Sequence, residues 1–289
     1  VADQGRLSGV TGTTRLTAVI GAPVAHSLSP VLMNAAFAEH GLDWMCVALE
    51  VADGDSVRAL DGIRALGFAG VSVTMPHKAA VAAAVDELTE VARQLDAVNC
   101  VVVEGGRLIG HNTDGGGFID GLAHDAGFDP AGCRAVVVGA GGAARAVVHA
   151  LGAAGAADVA VLNRTAGRAE SAAALAGGVG RVAGPEAVAG ADLVVNATPV
   201  GMGSEPGDEA MPLDPGLLNP GQVAVDLVYH PLTTPWLDAL RSHGIEAHHG
   251  LSMLLFQAAR AFTLWTGEEA PVAAMESAAR AALTARGAD

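Results

Sequence analysis

Residues 133–155 read CRAVVVGAGGAARAVVHALGAAG. An apolar run, Ala135-Val136-Val137-Val138, meets a cluster of glycines and then a stretch with no Gly or Pro until Gly152. The run predicts a buried strand, the cluster a tight turn and the stretch a helix. Gly139, Gly141 and Ala144 match G-x-G-x-x-A. In that pattern the first glycine permits the turn, the second lets a pyrophosphate approach the backbone, and the small third residue lets helix pack on strand. Ala140, Gly142 and Ala143 complete the turn, and free N–H groups at the helix start suit phosphate oxygens. A glycine pattern alone means little in a chain with 38 glycines. Its place between a strand and a helix is what predicts a parallel α/β unit that binds a dinucleotide.

The next strand, DVAVLN (158–163), bears on which dinucleotide. An NAD site usually ends this strand with Asp or Glu, which holds the ribose 2′-hydroxyl. Here the strand runs into Asn163, Arg164, Thr165 and Arg168, with no acid. Guanidinium groups suit a 2′-phosphate, so the prediction is NADP. The alternative is that both arginines are surface charges on a following helix.

Outward from there the pattern repeats. Downstream, ADLVVNAT (191–198) and QVAVDLVY (222–229) read as further strands, and two helices close the chain. Upstream, strands are expected at 16–21, 45–50 and 69–74, and helices at 29–41 and 56–67. A third helix is expected over 77–88, with Pro76 in its first turn. Residues 97–114 read as a strand pair around Gly105-Gly106. Alternating strands and helices predict an α/β chain with mostly parallel sheets. We expect a first domain over 16–113 and a second α/β domain over 114–250; the helices in 251–289 follow the second series without strands of their own and could pack back on the first domain. Residues 1–15, polar and rich in Gly and Thr, read as a flexible tail.

Composition narrows the function. The formal net charge is −15, which argues against a large nucleic-acid or anionic-membrane surface. An anionic small ligand would need local donors. No apolar run is long enough for a membrane span. Cys46, Cys100 and Cys133 form no CxxC, so a reducing, cytoplasmic setting is expected. His111 with Asp114, and His248 with His249, lack a convincing metal-ligand spacing, and no metal is expected.

One residue stands out chemically. Lys78, in SVTMPHKAA (72–80), is the chain's sole lysine, and every other cationic side chain is arginine. A lysine amine can give and take a proton, whereas a guanidinium does not deprotonate. Lys78 is therefore a candidate acid–base group, or else a chance survivor on a helix face. Ser27 and Ser29 in HSLSP (26–30) could both donate to one anion, or one of them could cap the following helix. Asp114 in HNTDGGG (111–117) reads as a site residue or a cap. Gln257 lies two turns inside a helix. Tyr229, the chain's sole tyrosine, lies at a strand's C-terminal end, where ligands of α/β sheets bind.

Nine segments in order carry a resemblance: IGAPVAHSLSP, GVSVTMPHK, DAVNC, GHNTDGGG, GAGGAARA, NRTAGRA, NATPVGM, DLVYHPLTTP and GLSMLLFQA. From about residue 16 onward the chain resembles the shikimate dehydrogenase family. That resemblance implies an α/β substrate domain completed by the C-terminal helices, with an NADP-binding Rossmann domain inserted. It implies reversible reduction of 3-dehydroshikimate to shikimate, a step toward chorismate and the aromatic amino acids. By motif match, Lys78 falls on the family's catalytic lysine and Asp114 on its aspartate partner. Ser27 and Ser29 fall on hydroxyls that hold the substrate carboxylate. Thr74, Asn99, Asp114 and Gln257 match contacts to ring hydroxyls, and Tyr229 a further substrate contact. Gly139, Ala140, Gly141, Gly142, Ala143, Asn163, Arg164, Thr165, Arg168, Thr198, Leu227 and Gly250 match the cofactor site. A monomer or homodimer is expected.

Two positions depart from the family. Met33-Asn34 stands where "HN" is common, and Ser72 where Asn is frequent before "VT". Both are expected to line or support the substrate site, so both bear on substrate identity. The rival readings are a relative acting on quinate or an aminoshikimate, and a non-catalytic NADP-binding module.

Overall fold

The computed structural model describes residues 10–202 and 210–286. The chain divides into two compact units, one running to Thr113 with Ala258–Ala282, the other Asp114–Gln257 with the residues from Leu283 onward.

In the first unit the order is β1 (Arg15–Gly21), α1 (Ser29–Glu39), β2 (Trp44–Glu50), α2 (Ser56–Ala65), β3 (Gly70–Val73), α3 (Lys78–Ala82), β4 (Glu87–Leu88), α4 (Glu90–Leu95), β5 (Cys100–Glu104) and β6 (Arg107–His111). The strands form one sheet, β2-β1-β3-β5-β6-β4. β1 is parallel to β2 and β3, and β5 is antiparallel to both β3 and β6. Ala18, Ile20, Leu60, Val71, Val81, Val101 and Leu108 share its core. The expected helix over 77–88 is corrected: it ends at Ala82. Asp86 leaves the helical path because its N–H donates to Leu108 O (2.9 Å) and its Oδ2 accepts from Leu108 N–H (2.7 Å). That pairing, not helix propensity, decides the segment.

The N-terminal tail reading also changes where it can be followed. Residues 1–9 lie outside the described residues. Thr13 and Thr14, however, donate their hydroxyls to Asp43 at 2.9 and 2.6 Å, and β1 starts at Arg15.

The second unit continues with α5 (Asp114–Ala126), β7 (Arg134–Val138), α6 (Gly142–Ala153), β8 (Asp158–Leu162), α7 (Ala166–Ala173), β9 (Gly180–Val182), β10 (Leu193–Asn196), β11 (Val223–Asp226), α8 (Pro235–Ser242) and β12 (Glu246–His249). Its sheet is parallel throughout, in the order β12-β11-β10-β7-β8-β9. Successive residues of β7 and β8 serve opposite cores: Val137, Val159 and Val161 one face, Val136, Val138 and Ala160 the other. Burial on both faces is why the sequence shows continuous apolar runs rather than alternation. α8, β9 and β12 were not read from the sequence; β9 is three residues long, and β12 carries a charged, histidine-rich stretch.

Helices α9 (Leu251–Thr266) and α10 (Val272–Ala285) end the chain, and the division between units falls within α9. In the first unit, Trp265 lies against Gly70, where no Cβ fits, and its Nε1 donates to Val101 O (3.0 Å).

Candidate active site

The first unit gathers polar side chains at one end of its sheet. β1 ends at Gly21, and Ala22 N–H donates to Met75 O (3.0 Å). Thr74 follows β3 and packs against Gly21 so closely that a Cβ there would collide with its methyl. Lys78 opens α3 and is half-buried; its carbonyl accepts from Val98 N–H (3.0 Å). Asn99 is buried, and its backbone carbonyl accepts from Val73 N–H (2.7 Å). Its amide grips Thr113, donating from Nδ2 to Thr113 Oγ1 (2.9 Å) and accepting from Thr113 N–H at Oδ1 (2.7 Å). Thr74, Lys78 and Asn99 are thus brought together around the ends of β3, β5 and β6. Immediately before Lys78, the buried His77 bonds Ser56 Oγ (2.9 Å) and Val51 O (2.8 Å), bracing the segment from behind.

Ser27 and Ser29 follow β1. Leu28 occupies the N-cap of α1 and offers no side-chain cap; the first N–H of the helix, that of Ser29, is taken up by the preceding serine instead. Ser27 Oγ accepts from Ser29 N–H (3.2 Å), which fixes their spacing. Of the two departures, Met33 is fully buried in the core. It does not line an open site and can act there only as support. Asn34 braces β2, donating to Cys46 O (3.0 Å) and accepting from Cys46 N–H (2.7 Å). Ser72 is buried within β3.

In the second unit, Asp114 is buried and is the first residue of α5. A Cβ on Gly117 would come 2.5 Å from Gln257 N, so the glycine admits α9 against α5. That contact sets Gln257 about one helical turn from Asp114. Gln257 Nε2 donates to Leu254 O (2.8 Å).

The strands leave β7 in one direction toward β9 and in the other toward β12, so the order reverses between β7 and β10. Ligands of open α/β sheets bind at the carboxyl ends of such a pair. Gly139 lies there with φ +111°, and a Cβ on it would come 2.8 Å from Ala197 O. Gly139 is required by the fold itself. Gly141 is different: its φ of −79° suits any residue, and a Cβ there would meet open space. The fold does not need that glycine, whereas a phosphate approaching the backbone would. Ala140 is half-buried, Gly142 exposed, and Ala143 half-buried in the first turn of α6.

Arg164 and Arg168 are exposed after β8, and neither forms an ion pair among the described residues. Asn163 Nδ2 holds this bend by donating to Thr165 O (3.0 Å), and Thr165 is the N-cap of α7. Two exposed guanidiniums outside any ion pair of the described residues suit a 2′-phosphate. Thr198 follows β10; its hydroxyl donates to Asn196 Oδ1 (2.7 Å) and accepts from Val200 N–H (3.3 Å). Gly250 packs so tightly on the Leu227 backbone that no Cβ fits. Tyr229 is half-buried, and burial pushes its phenol pKa up, with Arg286 working against that rise. The fully buried Asn196 and Asp226 beneath these loops were not singled out from the sequence.

Segments of the chain match three family models: "Shikimate dehydrogenase substrate binding domain" over residues 19–101, "Shikimate / quinate 5-dehydrogenase" over 122–200 and "Shikimate 5'-dehydrogenase C-terminal domain" over 250–280. A relative from Moorella thermoacetica named "Shikimate dehydrogenase (NADP(+))" is 48% identical over 286 residues, covering 96% of each chain. The chain belongs to the shikimate dehydrogenase family. Among solved structures, the shikimate 5-dehydrogenase of Thermus thermophilus in complex with NADP(H) and shikimate superposes with a TM-score of 0.86. It shares 40% identity and spans 93% of this chain and 100% of its own. A quinate dehydrogenase from Corynebacterium glutamicum in complex with NAD superposes with a TM-score of 0.84 at 35% identity, spanning 93% and 99%. The shikimate dehydrogenase fold therefore hosts more than one substrate and cofactor, and the residues must decide between them.

Proposed function

We propose that this chain catalyses the NADP-dependent, reversible reduction of 3-dehydroshikimate to shikimate. The observation that carries the reading is in the second unit: a glycine turn open to a ligand at the switch point, with exposed Arg164 and Arg168 after the next strand. The first supports a dinucleotide and the second its 2′-phosphate. The family membership and the relatives' names support the substrate.

When bound, the nicotinamide supplies hydride to C3 in one direction and accepts it in the other. The protein's part is to hold the substrate and move one proton. In reduction, the Lys78 ammonium polarises the C3 carbonyl and delivers a proton to its oxygen. In oxidation, neutral Lys78 removes the proton from the C3 hydroxyl, a step closed to arginine. Asp114 serves as the lysine's carboxylate partner. Ser27 and Ser29 hold the substrate carboxylate with neutral donors, which suits an acidic protein because no opposing cation is needed. Thr74, Asn99 and Gln257 take the ring hydroxyls, and Tyr229 adds a contact. The grip of Asn99 on Thr113 orients its amide before substrate arrives, so little reorganisation remains to be made.

The test is a nicotinamide absorbance assay crossing shikimate and quinate with NADP⁺ and NAD⁺. Turnover concentrated in shikimate with NADP⁺ is expected. Preference for quinate or for NAD⁺ would overturn the substrate or the cofactor assignment respectively. No turnover in any pairing would overturn the reading in favour of a different polyol acid, such as an aminoshikimate, or of a non-catalytic NADP-binding module.

A further inference from the structure

Asp226, the last residue of β11, is fully buried and pairs in register with Asn196, the last residue of β10. Three donors converge on its carboxylate. Asn196 Nδ2 reaches Oδ1 at 2.8 Å, the Val228 N–H reaches Oδ1 at 3.1 Å, and Thr234 Oγ1 reaches Oδ2 at 2.7 Å. Each belongs to a segment with a separate task. With its NH2 group held by Asp226, Asn196 turns Oδ1 toward the N–H of Thr198 (3.0 Å) and its hydroxyl (2.7 Å). Val228 lies between Leu227 and Tyr229. Thr234 caps α8 by accepting from Leu237 N–H (3.3 Å), and Gly201 of the β10 loop packs against its methyl.

The chemistry selects a carboxylate. An ionised carboxylate accepts at about four positions and donates at none. An amide of the same shape would turn an NH2 toward at least one of these donors. Burial opposes ionisation and moves the Asp226 pKa up against the pull of the hydrogen bonds, so packing alone gives no reason to keep an acid here.

We propose that Asp226 is a positioning residue that sets the loops after β10 and β11 together, holding Thr198, Leu227 and Tyr229 in one arrangement around the cofactor. The proposal rests on the NADP site described above. It predicts coupled behaviour of two loops that are separate in sequence.

The test uses the full chain with Asp226→Asn, Thr234→Val and Thr234→Ser. Hydrogen exchange is followed without cofactor over segments 193–202 and 223–234, and NADP⁺ affinity by calorimetry. In Asp226→Asn both segments should exchange faster while 133–150 stays unchanged, and the Kd for NADP⁺ should rise about tenfold. Thr234→Val should show a weaker form of both effects, and Thr234→Ser, which keeps the hydroxyl, should restore them. A lower Tm with wild-type affinity would overturn the proposal and leave Asp226 a purely structural residue. Faster exchange in only one loop would also overturn it. If Asp226→Asn does not fold, the Thr234 pair decides by the same criteria. A wild-type chain that does not bind NADP⁺ would overturn the cofactor reading itself, and that is seen before any variant is made.

Discussion

The two sheets are of equal width but build the ends proposed to face ligand from different material. In the second unit every strand is parallel, and the end at the switch point is made of backbone: Gly139, Gly141 and the start of α6. In the first unit an antiparallel hairpin, β5–β6, is joined to a parallel set, and the corresponding end is made of side chains: Thr74, Lys78 and Asn99. A parallel sheet delivers helix N-termini to one edge, which suits anions of any shape that can reach the N–H groups. Side chains on turns give a pattern of individual donors, which suits a polyhydroxylated ring and a proton transfer. The difference makes opposite demands on mutation. The glycine turn of the second unit should suffer from added atoms, the polar cluster of the first from altered side chains.

The largest expected effect tests the first unit. Lys78→Arg keeps the charge and removes reversible protonation. Turnover of shikimate should fall on the order of 10²–10⁴-fold with Tm unchanged and shikimate KM altered only a few-fold. Turnover close to wild type would remove Lys78 from proton transfer and weaken the contrast between the units. The second effect tests the backbone side. Gly141→Ala places a methyl where the protein has open space, so Tm should hold steady while NADP⁺ affinity falls about tenfold. Gly139→Ala should instead lose about 1–3 kcal/mol of stability, because φ +111° and the Ala197 carbonyl both exclude it. If Gly141→Ala binds NADP⁺ normally, the open turn is not a phosphate cradle.

The glycine turn was legible because a single local pattern states it: β-branched run, glycines, alanine-rich helix. Lys78 stands out as a candidate because its chemistry differs from that of every other cation in the chain. What could not be read is non-local. The early end of α3 depends on Asp86 meeting Leu108, and the burial of Met33 depends on which face of α1 meets the core. Asn196 and Asp226 sit inside recognisable motifs, yet their role appears only when β10 and β11 pair in register. Composition also concealed a division of labour among glycines. Gly139 and Gly141 are identical letters two residues apart, one required by the fold and the other unneeded by it.

A smaller effect separates charge from fold. Arg164→Ala should raise KM for NADP⁺ by about tenfold or more while leaving that for NAD⁺ nearly unchanged. Arg168→Ala should act in the same direction and less. Equal effects on both cofactors would mean that these arginines serve the bend after β8 and not the 2′-phosphate.

The smallest expected effect contrasts one carboxylate from each unit. Asp43 has its pKa held below the ordinary 3.8 chiefly by the Thr14 hydroxyl, then by Thr13. Asp226 has its pKa moved above 3.8 by burial. A lowered pKa stabilises the fold above the unfolded value, and that stability is lost as pH falls through the folded one. A raised pKa does the reverse: its contribution is complete below 3.8 and is lost as pH rises through the folded value. Thr14→Val should therefore cost about 1–2 °C in Tm at pH 7, in keeping with an exposed site, and the deficit should shrink as pH falls below 3.8. Asp226→Asn removes a titrating group; because burial outweighs the three hydrogen bonds in setting that group's pKa, the deficit should be greater near pH 3 and shrink as pH rises through the folded value. Parallel pH trends for the two variants would mean that one of the carboxylates is perturbed in the opposite direction. A Thr14→Val deficit that does not change with pH across the acid range would show that the threonine holds the N-terminal segment by packing, with the charge of Asp43 irrelevant to it.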